Sequence, residues 1–314
     1  MSITLDRRRF MAAAGALAAL HVAPAFARGD AQSAPPLVDA GWLKPRLGSK
    51  EFRIINLTAP DLYRQAHLPG AVFSDFGQWR VEKNGVPAML PDVPHMEKLL
   101  GGLGVTREHH VILVPAGFSA GDVGVAARAF WTLKTLGHAR VSILDGGIRG
   151  WAADRGNPLQ NTPVRPEPAT YKADYTDKWL ADAALVRKVV RSGDVPLVDN
   201  RTYDEFVGMT PAGGSVLRSG TLPNAVLVPQ HWFIDPRTGR FLPPEKIAAI
   251  HRQMGAKDEG EAITFCNTGH RAALGWFARH VLLGWPSRMY DGSLAEWTRL
   301  KPPQDYPVVR KVKL

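Results

Sequence analysis

Apolar residues along this chain fall in short blocks, separated by turn residues and by stretches with helical spacing, and the arrangement occurs twice. Early in the chain Phe52-Arg53-Ile54-Ile55-Asn56-Leu57 reads as a buried strand. A helix-like stretch around Asp61 to Ala66 follows, then His67-Leu68-Pro69-Gly70-Ala71-Val72. Later Val195-Pro196-Leu197-Val198-Asp199-Asn200-Arg201 reads as the matching strand, Tyr203 to Phe206 starts the next element, and Thr221-Leu222-Pro223-Asn224-Ala225-Val226 answers the earlier motif. The strand run His110 to Val114 leads through a loop into the helical run Ala126 to Trp131; Ala262 to Phe265 leads into Ala272 to Phe277 in the same way. Leu136-Gly137 and Leu283-Gly284 then turn the chain. Each precedes a glycine-bearing aromatic signature: Leu144-Asp145-Gly146-Gly147-Ile148-Arg149-Gly150-Trp151 and Tyr290-Asp291-Gly292-Ser293-Leu294-Ala295-Glu296-Trp297.

Strand blocks alternating with helices predict two α/β domains, each a mostly parallel sheet flanked by helices. The expected boundaries are 37–154 and 176–305, with a Pro-rich polar linker at 155–175 and a tail at 306–314. Segments 76–94 and 208–220 read as long surface loops. In open α/β sheets ligands gather at the C-terminal ends of strands. The second half places its one chemically distinctive residue there.

That residue is Cys266, the single cysteine among 314 residues. It follows the strand run Ile263-Thr264-Phe265 and opens the turn Asn267-Thr268-Gly269-His270-Arg271 ahead of an Ala-rich helical run. Backbone N–H groups converge at such a turn, and the helix dipole favours an anion there, so the site favours thiolate over thiol. Gly269 allows a tight backbone path. The bland alternative is a structural core cysteine. The equivalent first-half loop, Pro115-Ala116-Gly117-Phe118-Ser119-Ala120-Gly121-Asp122, has no cysteine.

The N-terminus reads as a targeting segment. Asp6-Arg7-Arg8-Arg9-Phe10-Met11 precedes a short, mildly apolar stretch from Ala12 to Leu20, and Ala25-Phe26-Ala27 offers a cleavage site, as in a twin-arginine-type export signal. This predicts a bacterial periplasmic protein beginning near Arg28. Removing 1–27 takes three arginines and one aspartate, and the net charge falls from +10 to +8. The 39 basic residues are spread out rather than clustered, which argues against nucleic acid and suits small anionic substrates. No stretch is long enough for stable membrane insertion of the mature chain. The ten histidines show no ligand-spaced cluster, so no metal or organic cofactor is expected.

Taken together, Ala66-His67-Leu68-Pro69-Gly70-Ala71, Leu144-Asp145-Gly146-Gly147, the Cys266 loop and Tyr290 to Trp297 resemble the tandem-domain rhodanese family, the thiosulfate and 3-mercaptopyruvate sulfurtransferases. The resemblance covers roughly 37–305. It implies a catalytically silent first domain, a second domain carrying a catalytic cysteine, and a sulfane sulfur carried as a Cys266 persulfide. The familiar thiosulfate enzymes have basic residues just after the cysteine and the mercaptopyruvate enzymes small neutral ones. The loop Asn267 to Arg271 fits neither pattern.

The resemblance also implies an anion-binding arginine where Arg201 stands; the alternative is a surface ion pair with Asp204 or Glu205. Asp199 is expected to orient the local backbone or Arg201 rather than to act as an acid or base. Arg271 can pair with an anionic donor or leaving sulfite, or fold back to fix the loop. His270 can assist the leaving group if protonated, or can be a solvent-facing loop residue. Arg218 is a further candidate for the donor. Trp232, Phe233 and Trp276 are expected in the core. The expected reaction moves sulfur from a small anionic donor, thiosulfate foremost, to cyanide or a thiol acceptor by a ping-pong route. Its rivals are 3-mercaptopyruvate as donor, a non-enzymatic persulfide carrier, and a cysteine phosphatase or arsenate reductase. The last pair uses C-x5-R spacing; here Cys266 to Arg271 is one residue tighter.

Overall fold

The repeated pattern becomes two five-stranded, all-parallel sheets with the same topology. The computed structural model describes residues 35–312, with 257 and 259 left out; the export segment expected at 1–27 lies outside the described residues. In the first half the strands are β1 (Leu37–Val38), β2 (Phe52–Asn56), β3 (Val72–Phe73), and, after a separate hairpin of β4 (Val81–Lys83) and β5 (Val86–Met89), β6 (His110–Val114) and β7 (Val141–Leu144). Their order is β1-β7-β6-β2-β3. The second half supplies β8 (Leu180–Ala181), β9 (Leu197–Asp199), β10 (Val226–Leu227), β11 (Ala262–Phe265) and β12 (Ser287–Tyr290), ordered β8-β12-β11-β9-β10. Every pairing within these two sheets is parallel. The central strands β6 and β11 are buried along their whole length, which is why both read as unbroken apolar-rich blocks.

The two sheets belong to one compact unit and share an apolar core. The helix Ala120–Thr135 after β6 and the helix His270–Trp276 after β11 pack against each other between them. Both helices bury small residues in the shared core, Ala126 and Ala127 from one and Ala272 and Ala273 from the other, and an edge-to-face pair, Phe130 and Phe277, has centroids 4.9 Å apart. The loop that starts the second helix therefore lies against the first domain.

Three segments differ from the sequence expectation. Residues 76–94 are folded rather than loop. Trp79 is fully buried, its indole N–H donating to Ser74 Oγ at 2.9 Å, and Asn84-Gly85, both at positive φ, turn the β4–β5 hairpin. The 155–175 linker is a strap laid along the first domain: Gln160 pairs with His67, Tyr171 is buried, and Ala169 N–H donates to Gly101 O. The approach is close enough that a Cβ on Gly101 would stand 2.5 Å from Ala169 O. The described part of the tail docks on the second domain through reciprocal bonds between Thr221 and Val309. Of the expected core aromatics, Phe233 and Trp276 are buried, whereas Trp232 is 41% exposed. It lies in the short 3-10 turn Gln230–Phe233, where one face meets solvent.

Candidate active site

Cys266 is the first residue beyond β11, at the C-terminal end of a central strand. Its side chain is 1% exposed and belongs to the shared core. The sulfur is thus held in a low-dielectric setting, where nearby dipoles and charges act more strongly than in water.

Two sets of hydrogen bonds shape the loop. Cys266 O and Asn267 O accept from the N–H groups of Leu294 and Ala295 at 3.1 and 2.8 Å. Ser293 Oγ accepts from the N–H groups of Cys266 and Gly269 at 3.1 and 3.2 Å and donates to Tyr290 O at 2.8 Å. One hydroxyl therefore pins both ends of the turn. Ser293 does so from φ +48, a conformation costly for a residue with a Cβ. Gly269, at φ +73, precedes the helix and supplies no capping side chain. Among the described residues the amides of Thr268, His270 and Arg271 have no hydrogen-bond partner. They are donors left over at the start of a helix, beside the sulfur-bearing residue.

Charge enters in two compensated pairs. Arg271 makes a bidentate fork to Glu205 at 2.6 and 2.8 Å. Burial works against the Arg271 charge, but the bonds to Glu205, the nearby Cys266 and Asp199 outweigh it, so the guanidinium holds its proton more firmly than usual. Burial also opposes ionisation of Glu205; Arg271 and the Thr202 cap outweigh it and bring the carboxyl down to about 2. Arg201 is 3% exposed and spends its charge on Asp199 at 2.7 to 3.1 Å and on Gly220 O at 2.7 Å. Thr221 Oγ1 completes the Asp199 cage. Asn267 joins the pairs, donating to Glu205 at 2.7 Å and facing Arg201 Nη1 at 3.4 Å. A cleft of about 80 Å³ beside the loop is lined in part by Arg201, Glu205, Gly220 and Asn267.

Arg201, Arg271, Asn267, Thr268 and Gly269 thus assemble around Cys266, and two expected contributors do not. His270 turns its ring into the first domain, with Nε2 3.1 Å from Gly121 O and the ring 5.4 Å from that of Phe76. Burial, and then the Arg80 charge, bring it down to about 4, so at neutral pH it is uncharged. It meets neither expectation, being neither a protonated acid nor solvent-facing. Arg218 points elsewhere, donating to Trp297 O and Pro303 O. Ser293 and Glu205 were missed from the sequence. Ser293 is hidden in the Tyr290 to Trp297 signature, and Glu205 reads in the sequence only as a surface ion-pair partner for Arg201.

Comparison with known proteins agrees with this geometry. The family model described as rhodanese-like domain matches twice, over 39–154 and 182–300. The chain belongs to the rhodanese family. It is 32% identical over 272 residues to the thiosulfate sulfurtransferase of Rattus norvegicus, spanning 85% of this chain and 86% of the rat protein. It is 29% identical over 275 residues to the 3-mercaptopyruvate sulfurtransferase of Homo sapiens, spanning 86% of each. Among solved structures, SseA from Escherichia coli, a 3-mercaptopyruvate sulfurtransferase by its description, superposes with TM-score 0.72 at 26% identity, covering 82% of this chain and 98% of that one. This rhodanese is a tandem-domain sulfurtransferase.

Proposed function

We propose that Cys266 is the sulfur carrier, that thiosulfate is the donor, and that cyanide or a small thiol is the acceptor. The Cys266 thiolate attacks the outer sulfur of thiosulfate. A Cys266 S–S bond forms, the S–S bond of thiosulfate breaks, and its electron pair leaves with sulfite. The terminal persulfide sulfur is then attacked by cyanide, giving thiocyanate and returning the thiolate. The observation that carries this reading is the set of unpartnered amides at Thr268, His270 and Arg271 beside a buried cysteine. Such donors stabilise a sulfur anion before and after transfer. The small cleft bordered by Arg201 favours a compact anionic donor. Arg201 and Arg271, each steadied by its own carboxylate, present donors of fixed direction to departing sulfite.

Intact-mass measurement after thiosulfate treatment tests the assignment. The expected result is a gain of one sulfur, removed by reductant and absent in Cys266→Ser. A gain that persists in Cys266→Ser overturns it. Steady-state rates with thiosulfate and 3-mercaptopyruvate at one acceptor concentration decide the donor, and multiple turnover separates an enzyme from a carrier. We further propose periplasmic export, supported by the paired arginines and Ala25-Phe26-Ala27. Cell fractionation of the full chain against Arg7→Lys/Arg8→Lys/Arg9→Lys tests it; retention of both forms in the cytoplasm would refute it.

A further inference from the structure

The first domain has no cysteine, yet it places a fully buried arginine directly against the persulfide loop. Arg128 comes from the helix Ala120–Thr135 and is 0% exposed. Its Nη2 forms an ion pair with Asp291 Oδ1 of the second domain and lies 3.4 Å from Ala88 O. Asp291 Oδ2 is taken by the N–H of Leu90, again from the first domain, at 2.7 Å. Both oxygens of this second-domain carboxylate are therefore held by the first domain.

The other face of the guanidinium meets the loop. A Cβ built on Gly269 would stand 2.3 Å from Arg128 Nη1 and 2.7 Å from Asp291 O. Arg128 and Asp291 thus close the space that a side chain at 269 would need. Among the described residues Nε and Nη1 of Arg128 have no hydrogen-bond partner. Open donors occur on Arg279 as well; those of Arg128 are set apart by lying on a buried cation against the Gly269 turn of the Cys266 loop. Asp291 also stands two residues before Ser293, whose hydroxyl pins Cys266 and Gly269.

We propose that Arg128 is a positioning residue for sulfur transfer, by which the cysteine-free domain fixes the path of Gly269 and holds a positive charge beneath the Cys266 loop. The inference rests on Cys266 being the sulfur carrier. The other charges facing the loop are Arg271 with Glu205 and Arg201 with Asp199 from the second domain, and Arg80 from the first. The neutral imidazole of His270 and the exposed His231 near Arg271 complete the titratable surroundings.

The test is the pH profile of Cys266 alkylation by iodoacetamide, measured without donor, beside kcat and KM for thiosulfate. In Arg128→Met the alkylation profile is expected to move to higher pH by about half a unit or more, and kcat to fall about tenfold with KM within about twofold. In Asp291→Asn, which removes the compensating charge and keeps a polar side chain, the profile is expected to move to lower pH. Opposite shifts are a signature that a purely structural contact does not give. Arg128→Lys should recover part of the Arg128→Met loss. Should Arg128→Met fail to fold, Asp291→Asn decides: a profile that stays at the wild-type position, or moves to higher pH, overturns the proposal. Loss of the wild-type mass gain with thiosulfate would instead refute the carrier assignment, which the alkylation profiles do not depend on.

Discussion

The turn after β6 and the turn after β11 are the same construction put to different ends. Ile148 and Arg149 donate to Pro115 O and Ala116 O at 2.9 and 3.1 Å, as Leu294 and Ala295 donate to Cys266 O and Asn267 O. This equates Pro115 with Cys266 and Gly147 with Ser293. In the first half Ser119 and Asp122 form a capping box, and the Asp122 carboxylate takes the N–H groups of Phe118 and Ser119 at 3.0 and 2.9 Å. That turn has its own built-in anion. In the second half glycine stands at the cap, and the amides stay open. The position that Gly147 fills at φ +59 without strain is filled by Ser293 at φ +48, because its hydroxyl is needed for the loop. The two halves thus differ at the helix N-terminus: in the first a side chain takes the loop amides, and in the second they stay open beside Cys266.

The comparison breaks most sharply at the sulfur. Cys266→Ser is expected to lower turnover at least about a thousandfold and to abolish the sulfur gain. A transplant sharpens it. Pro115→Cys in the Cys266→Ser background should gain no sulfur by mass, because Asp122 already occupies the first-half amides; a persulfide at 115 would show that any strand-end cysteine suffices. Ser293→Gly makes the second-half turn resemble the first, and should lower kcat about 10- to 100-fold while moving the melting temperature by no more than ~4 °C. Arg271→Met, which leaves Glu205 charged and partnered mainly by Asn267 and Thr202, is expected to cost about tenfold in kcat/KM for thiosulfate; an unchanged value would assign Arg271 to loop folding alone.

The smallest expected effect concerns a feature the halves share. Burial, foremost, brings His110 and His138 in the first half down to about 4 and His251 in the second down to about 3. Unfolded histidine titrates near 6.5, so below that pH the unfolded chain binds more protons. Stability is fully present above about pH 6.5 and is lost as pH falls toward 4. The melting temperature should decline over that window as a single transition, because both halves share one core. Two separated transitions would show the halves to be independent. Glu205 contributes in the same direction only below its unfolded value, down to about 2.

Much of the architecture was legible before any coordinates. The strand blocks at His110–Val114 and Ala262–Phe265 appear where the pattern put them, since a strand buried on both faces must be apolar throughout. The position of Cys266 at a strand end followed from the same reading. Segment 76–94 was missed because Trp79 and Leu90 are lone anchors rather than a periodic face.

The sequence by itself determined the duplication, the parallel α/β halves, and a thiol at the end of a central strand in one half only, because these depend on local patterns of burial and turn chemistry. Tertiary structure decided which groups serve that thiol. Ser293 is 27 residues from Cys266, Glu205 is 66 from Arg271, and Asp291 is 163 from Arg128. Charge pairing acts through space at a few ångströms. Arginines and carboxylates abound along the chain, and only the folded path selects which of them meet, which neutralise each other, and which are left facing the sulfur.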